Sequence, residues 1–216
     1  MAGGPEFLEW MVNKALFNHL SDEQTKRENI EWFFALQVDI GNGANRSVEE
    51  LCGFRWQLGD PDVLFEKGLK IDEWRSEDDR VRFNEVYSYL RPDFRFHTKD
   101  GSRRLFIEGK GIGPSRDAKR QASTYFNFLS ESGSKGALIY LVPKSAKTWV
   151  PFLRDARPKG AETIETGVVY WDDAFLARIS AELLHVVTES LIPPMKLVEK
   201  ALKFRDQHRL TAISKT

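Results

Sequence analysis

The sequence predicts an α/β protein in which a mixed central β-sheet is flanked by helices. The first observation is a β-hairpin over residues 91–111, where "DFRFHT" alternates, "KDGS" supplies an Asp-Gly turn and "RRLFIEGKG" returns. The second is "GALIYLV", a continuous apolar run typical of a central buried strand. The third is the set of helical stretches around these strands. Because a hairpin is antiparallel, the sheet must be mixed.

The elements before the hairpin follow in chain order. Ser21 and Gln24 form a capping-box signal at the start of a helix over "EQTKRENIEWFFALQV", whose apolar residues recur at helical spacing. The glycines of "GNGANRS" are predicted to end that helix in a loop. Farther along, "VEELCGF" favours a short helix and "DVLFEKG" a short strand. The aromatic and β-branched residues of "VRFNEVYSYLRP" predict a strand that ends at Pro92.

The elements after the hairpin are mostly helical. Ser115 is predicted to cap a helix over "RDAKRQASTYFNFLSES". The apolar run "GALIYLV" and the short "GVVYW" follow as strands. Asp172 or Asp173 opens the amphipathic helix "DDAFLARISAELLHVVTES". Pro193 and Pro194 then separate this helix from a last one, "MKLVEKALKFRDQ".

Length and composition fit one globular domain with a helical extension. The chain has 216 residues, of which 41% are hydrophobic and 30% charged. No apolar run approaches the roughly 20 residues that span a bilayer, so no membrane partner is expected. The single cysteine, Cys52, excludes an internal disulfide and favours a cytoplasmic location. We divide the chain into a cloning-derived or disordered start, a main domain, and a C-terminal helix with its tail: residues 1–10, 11–190 and 191–216.

Charge is unevenly distributed along a chain whose formal net charge is zero. Residues 60–85 carry nine acids and five bases, whereas residues 91–120 carry nine bases and four acids. A positive segment of this kind can bind a polyanion even on a neutral protein. Nucleic acid would suit this segment as a partner, and a solvated surface with uneven charge is the alternative interpretation.

Three ionisable residues of the hairpin are placed to converge: Asp93, Glu108 and Lys110. Glu108 and Lys110 are two apart on a strand and point to the same face, while Asp93 lies at the same end of the partner strand. Two carboxylates beside apolar residues repel each other unless a cation joins them. Mg²⁺ prefers one or two carboxylates together with water and phosphate oxygens. Such a site, with a lysine beside it, suits phosphodiester hydrolysis.

The same stretch carries the motif of a known superfamily. "RPDF" is followed, fifteen residues after Asp93, by "IEGK", and then by "RQASTY". The series resembles the PD-(D/E)xK signature of restriction-endonuclease-like nucleases. It is most similar to the nuclease domains of type I restriction subunits and RecB-like nucleases, which add a Q-x-x-x-Y motif. The resemblance covers residues 91–125, and it implies a restriction-endonuclease-like core with residues 11–190 as the nuclease domain.

A Mg²⁺ or Mn²⁺ site is implied by this resemblance. Asp93 and Glu108 would bind the ion, with the backbone carbonyl of Gly109 as a third oxygen ligand. Glycine is a departure here, because the family usually has a residue with a side chain at that position. The family often adds a glutamate from its first helix, for which Glu28 is our choice and Glu31 the alternative.

The resemblance also assigns roles around the ion. Lys110 would position and activate the attacking water or stabilise the charged transition state. Gln121 would contact the nucleic acid or steady the catalytic residues, and Tyr125 would pack behind it on the same helix face. We also expect nucleic-acid contacts from the bases at the start of that helix, in addition to the Gln/Tyr pair: Arg116, Lys119 and Arg120.

A metal-dependent nuclease acting on DNA is therefore the expected function. Two alternatives stay open: an RNA endonuclease of the cap-snatching type, and a nucleic-acid-binding or assembly module with little catalysis. His19 and His97 are expected to be structural. No G-x-x-x-x-G-K-[ST] motif is present, so this sequence itself contains no motor. The chain would act alone, as a homodimer, or as a subunit of a larger motor or restriction complex.

Overall fold

The computed structural model describes residues 5–53, 63–66, 92–98, 102–111, 113–131 and 135–188. Residues 180–188 form a helical stretch at the end of this part of the chain. The preceding elements are, in chain order, α1 (Pro5–Ser21), α2 (Lys26–Ala35), β1 (Gln37–Gly41), β2 (Ala44–Ser47), α3 (Val48–Cys52), β3 (Val63–Glu66), β4 (Phe94–Thr98), β5 (Arg103–Gly109), α4 (Arg116–Glu131), β6 (Lys135–Pro143), α5 (Trp149–Ala156), β7 (Glu165–Trp171) and α6 (Asp173–Arg178).

The described strands form one seven-stranded sheet in the order β2-β1-β7-β6-β5-β4-β3. The central strands β5, β6 and β7 are parallel, and helices α4 and α5 connect them. All other neighbouring strands are antiparallel. The sheet is therefore mixed, as the sequence predicted, and the carboxyl ends of β5, β6 and β7 lie at the same end of it.

Two apolar cores cover the two faces of the sheet. Alternation along β5 sends Leu105 and Ile107 to one face, where they pack with side chains of α1, α2, α3 and α6. Phe106 points to the other face and packs with α4 and α5. The predicted α/β architecture with flanking helices is thus confirmed. In the described part of the chain, no helix combines the length and apolar character needed to cross a membrane.

The predicted hairpin and the helices after it are confirmed. β4 and β5 pair antiparallel with Phe94 opposite Ile107, and the apolar run forms β6. Ser115 Oγ accepts a hydrogen bond from the backbone N–H of Ala118 at 3.1 Å, so it caps α4. The Asp172 side chain caps α6 in the same way. These caps fix where the two helices begin.

The structure differs from the prediction between α1 and α3. Ser21 ends α1 rather than capping the next helix, and α2 covers only Lys26–Ala35. The "GNGANRS" segment contains the end of β1, the tight turn at Asn42 and Gly43, whose φ angles are 58° and 73°, and the whole of β2. Two successive positive φ angles are typical of an Asn-Gly type I′ turn, so the dipeptide was the missed signal.

Further differences concern single elements. Residues 5–10, expected outside the fold, form the first turns of α1. Helix α5, between β6 and β7, was not predicted. The short helix and short strand predicted for "VEELCGF" and "DVLFEKG" are present as α3 and β3. The strand predicted over residues 81–91 and the helix predicted within residues 191–216 lie outside the described residues.

Candidate active site

The candidate site lies at the carboxyl end of β5, between β4 and β6. Glu108 is the second-last residue of β5 and is only 3% exposed. Asp93 immediately precedes β4, and the antiparallel register of the hairpin brings it to the same end of the sheet. Lys110 immediately follows β5. Strand alternation and hairpin register therefore bring the three predicted residues together.

Three side chains donate hydrogen bonds to the buried Glu108 carboxylate. Lys110 Nζ lies 2.6 Å from Oε1, and Gln121 Nε2 lies 2.9 Å from the same oxygen. The Tyr125 hydroxyl donates to Oε2 at 2.9 Å. Gln121 and Tyr125 both reach the carboxylate because they are one turn apart on α4. Together the three donors hold Glu108 in one orientation.

The structure corrects one predicted nucleic-acid contact, that of Tyr125, and the other predicted contacts stay predictions. Tyr125 is fully buried, so a nucleic acid cannot reach it. Gln121 donates to Glu108 and to the Tyr125 hydroxyl, each at 2.9 Å, which makes it a residue that steadies the site. The three predicted bases are exposed on the first turns of α4: Arg116, Lys119 and Arg120.

Asp93 is fixed by the backbone of β5 and by α1. Its Oδ2 accepts hydrogen bonds from the Gly109 N–H at 2.7 Å and from Asn13 Nδ2 at 2.9 Å. The Asn13 side chain lies directly against Gly109, where an added Cβ would overlap with it. The close approach of α1 thus explains glycine at this position. Metal binding by the Gly109 carbonyl stays a prediction.

The helix glutamate beside the site is Glu9, not the predicted Glu28. Glu9 Oε2 accepts a hydrogen bond from the Gly111 N–H at 2.6 Å, and Glu9 Oε1 lies 3.9 Å from Lys110 Nζ. Glu28 lies exposed in the first turn of α2, whose buried residues face the core instead. The alternative, Glu31, forms an exposed ion pair within α2. Helix α1 therefore supplies the carboxylate that was expected from α2.

Burial dominates the electrostatics of the site. Burial, followed by the negative charge of Asp93, raises the pKa of Glu108 from 4.5 to about 7, although the hydrogen-bond donors around it oppose the shift. Burial lowers the pKa of Lys110, but the nearby carboxylates, Glu108 above all, raise it more, so the net shift is upward. Lys110 is therefore a fixed positive charge at neutral pH, beside a carboxyl group that titrates there.

Tyr140 adds a buried hydroxyl to the surroundings of Glu108. The two residues are opposite each other in the parallel pairing of β5 and β6, so their side chains share a face. Tyr140 is fully buried, and among the described residues its hydroxyl has no hydrogen-bond partner. Burial and the charges of Glu108 and Asp93 raise the pKa of Tyr140 well above its ordinary value, so the hydroxyl keeps its proton. An unpaired buried hydroxyl is costly, and this one has a proton to donate.

The carboxylates reach the end of β5 from both faces of the sheet. Asp93 and Glu9 are held on the α1 side, and Glu108 is held on the α4 side. Across residues 5–53, 63–66, 92–98, 102–111, 113–131 and 135–188, no three histidine, cysteine, aspartate or glutamate side chains are already grouped to hold a metal ion. A cation here would therefore need further oxygen ligands from water or substrate.

His19 and His97 make hydrogen bonds within the fold, and Cys52 lies in the core. His19 Nδ1 lies 2.7 Å from Glu182 Oε1, and His97 Nδ1 lies 3.1 Å from the carbonyl oxygen of Thr98. Cys52 is a buried free thiol in the core.

Comparison with known proteins identifies no relative. No family model matches the chain, and neither does any curated protein or any solved structure.

Proposed function

We propose that this chain is a Mg²⁺- or Mn²⁺-dependent nuclease with a restriction-endonuclease-like core, and that its substrate is DNA. The proposal depends mainly on the buried Glu108 carboxylate, which lies in contact with Lys110 and within the electrostatic influence of Asp93. A buried carboxyl group with a perturbed pKa and a lysine partner indicates a functional site, because a buried ion pair by itself adds little to stability. The exposed bases of α4 offer a surface for backbone phosphates.

The residues present fit a hard divalent cation. Asp93 and Glu108 would hold it, and Glu9 adds a carboxylate on the other side of Lys110. A cation between two acids would remove the repulsion that raises the pKa of Glu108. The unpaired Tyr140 hydroxyl fits as well, because it can donate to a water or phosphate oxygen beside the carboxylate. Water and phosphate oxygens would complete the coordination shell, as is usual for Mg²⁺.

The side chains of the site supply charge and orientation for hydrolysis. A bound cation polarises the phosphate and lowers the pKa of the attacking water. Because Lys110 stays protonated at neutral pH, it stabilises the negative charge that develops on the phosphate rather than accepting a proton from water. Gln121 and Tyr125 hold the Glu108 carboxylate, which would bind the cation, in one orientation. The hydrogen bonds from α1 and β5 do the same for Asp93.

The test of this function is incubation of the chain with labelled single- and double-stranded DNA and RNA, in Mg²⁺, in Mn²⁺ or with a chelator. We expect cleavage of DNA with either cation and none with the chelator. Faster cleavage of RNA than of DNA would favour the RNA endonuclease instead. Binding without cleavage under every condition would overturn the proposal and leave a nucleic-acid-binding module.

Glu9→Gln is expected to lower Mn²⁺ affinity and the cleavage rate about 10- to 100-fold, the range for residues that support metal ligands. The reason is that the Glu9 carboxylate holds the Gly111 N–H and lies near Lys110. The matched control is Glu28→Gln, the same change on the exposed turn of α2, and it should alter neither quantity. Calorimetric titration measures affinity and a gel assay measures cleavage. Equal losses in both variants would contradict the assignment of Glu9.

A further inference from the structure

Helix α1 carries two exposed apolar side chains next to the candidate site. Leu8 and Trp10 are each 45% exposed, and among the large hydrophobic residues of the described chain only Leu184 is more exposed. Leu8 and Trp10 flank Glu9, which contacts the Gly111 N–H just after β5. Because Leu8 and Trp10 are two apart on a helix, they point in different directions, and Trp10 has its own surroundings.

Lys14 adds a positive charge beside Trp10. Its Nζ lies 5.4 Å from the centre of the Trp10 ring, which is the distance of a cation–π contact. Residues four apart on a helix share a face, so the ring and the ammonium group form one surface. An aromatic ring with a cation over one face can stack a base on its other face, and the cation can attract the phosphate attached to that base.

The candidate site consequently has two different flanks. Helix α1 packs on one face of the sheet, and its Glu9 reaches the segment after β5. Helix α4 packs on the other face and begins with the exposed bases Arg116, Lys119 and Arg120. A nucleic-acid strand with a phosphate at Glu108 would therefore have the aromatic ring of α1 on one side and the bases of α4 on the other.

We propose that Trp10 and Lys14 form a stacking platform for an unpaired base, and that the substrate bound at this site is single-stranded DNA. The proposal rests on the proposed nuclease function. In a duplex each base is covered by its neighbours, whereas an unpaired base offers its face to a tryptophan. Charge complementarity supports this occupant, because Lys14 and the bases of α4 provide positive charge on both flanks for a polyanion.

Fluorescence anisotropy of a short labelled single-stranded DNA measures the affinity of the chain for unpaired bases. A chelator is present to prevent cleavage. Trp10→Ala is expected to weaken binding about 5- to 150-fold, which is the range for loss of one base-stacking contact. Trp10→Phe keeps a ring and should keep most of the affinity. Leu184→Ala removes a different exposed apolar side chain and should leave the affinity unchanged. Affinity for a blunt duplex should stay the same in all three variants.

The results that overturn the platform differ from those that overturn the nuclease. Unchanged single-strand binding by a folded Trp10→Ala variant would remove the platform. An equal loss of duplex binding would remove the preference for unpaired bases. If Trp10→Ala weakens single-strand binding but the wild-type chain cleaves no substrate in Mn²⁺, the platform is supported and the nuclease proposal is overturned.

Discussion

Glu108→Gln is expected to reduce cation-dependent cleavage about 10²- to 10³-fold, the cost of removing one preorganised electrostatic contact from an active site. Glutamine keeps the shape of the side chain and can still accept hydrogen bonds from Lys110 and Gln121. It lacks the negative charge that would attract the cation. The same change should also alter how stability depends on pH.

The pH effect follows from the raised pKa of Glu108. In the unfolded chain this carboxyl group ionises near 4.5, whereas in the fold burial and Asp93 raise its pKa to about 7. The stabilisation that comes from the protonated form is therefore complete below pH 4.5 and is lost as the pH rises to about 7. The loss amounts to about 3 kcal/mol. Because glutamine does not titrate, Glu108→Gln should gain that much stability relative to wild type across this interval.

Urea unfolding with a chelator, below pH 4.5 and above pH 7, measures this difference. Glu28→Gln is the matched control and should follow wild type at both pH values. Added Mn²⁺ should stabilise wild type more than Glu108→Gln, since the variant keeps Asp93 but lacks the second carboxylate that would hold the ion. Identical pH dependence in wild type and Glu108→Gln would show that Glu108 does not titrate as proposed.

Gly109→Ala is expected to lower the free energy of unfolding by about 1–3 kcal/mol, the usual cost of overpacking, and to remove most of the cleavage activity. An added Cβ would overlap with the Asn13 side chain, so Asn13 must move. Asp93 then loses the hydrogen bond from Asn13 Nδ2, which is 2.9 Å long. The change therefore disturbs a carboxylate of the proposed metal site without altering any ionisable residue.

Removing the obstructing side chain should recover part of this loss. Asn13→Ala alone removes the hydrogen bond to Asp93, but it also makes room for a Cβ at Gly109. The loss of unfolding free energy in the double variant should therefore be smaller than the sum of the two single losses by about 0.5–3 kcal/mol. Gly113→Ala is the matched control, because a Cβ there meets nothing within 4 Å. Strictly additive effects in urea unfolding would contradict the overlap.

Residues that are close in the chain were predictable because local geometry relates them. Glu108 and Lys110 follow strand alternation, and the Asp-Gly turn sets which end of the hairpin Asp93 occupies. Gln121 and Tyr125 follow helical spacing. Sequence periodicity states only which residues share a face, so it left open whether the Gln/Tyr pair contacts substrate or Glu108.

The contribution of α1 was not predictable in this way. The Asn13–Asp93 and Glu9–Gly111 hydrogen bonds join residues 80 and 102 positions apart. No local spacing reports such contacts, since they arise only when the helix packs on the finished sheet. Glu28 was chosen from a helix with a clear apolar stripe, yet its own side chain faces outward.

Two fold elements were missed for local reasons. The β1–β2 hairpin depends on the Asn42-Gly43 turn, which was interpreted as a loop that ends a helix. Helix α5 has only eight residues and contains Pro151. Proline usually breaks a helix, but it is tolerated in the first turn, where its missing N–H would have had no partner.

Helix α1 joins the sheet through side-chain contacts and not through strand pairing. Local detachment of this helix would withdraw Asn13 and Glu9 together while every pair of strands stayed intact. Such an opening requires less free energy than complete denaturation. Mild urea should therefore abolish the proposed cleavage activity before circular dichroism registers any melting of the sheet.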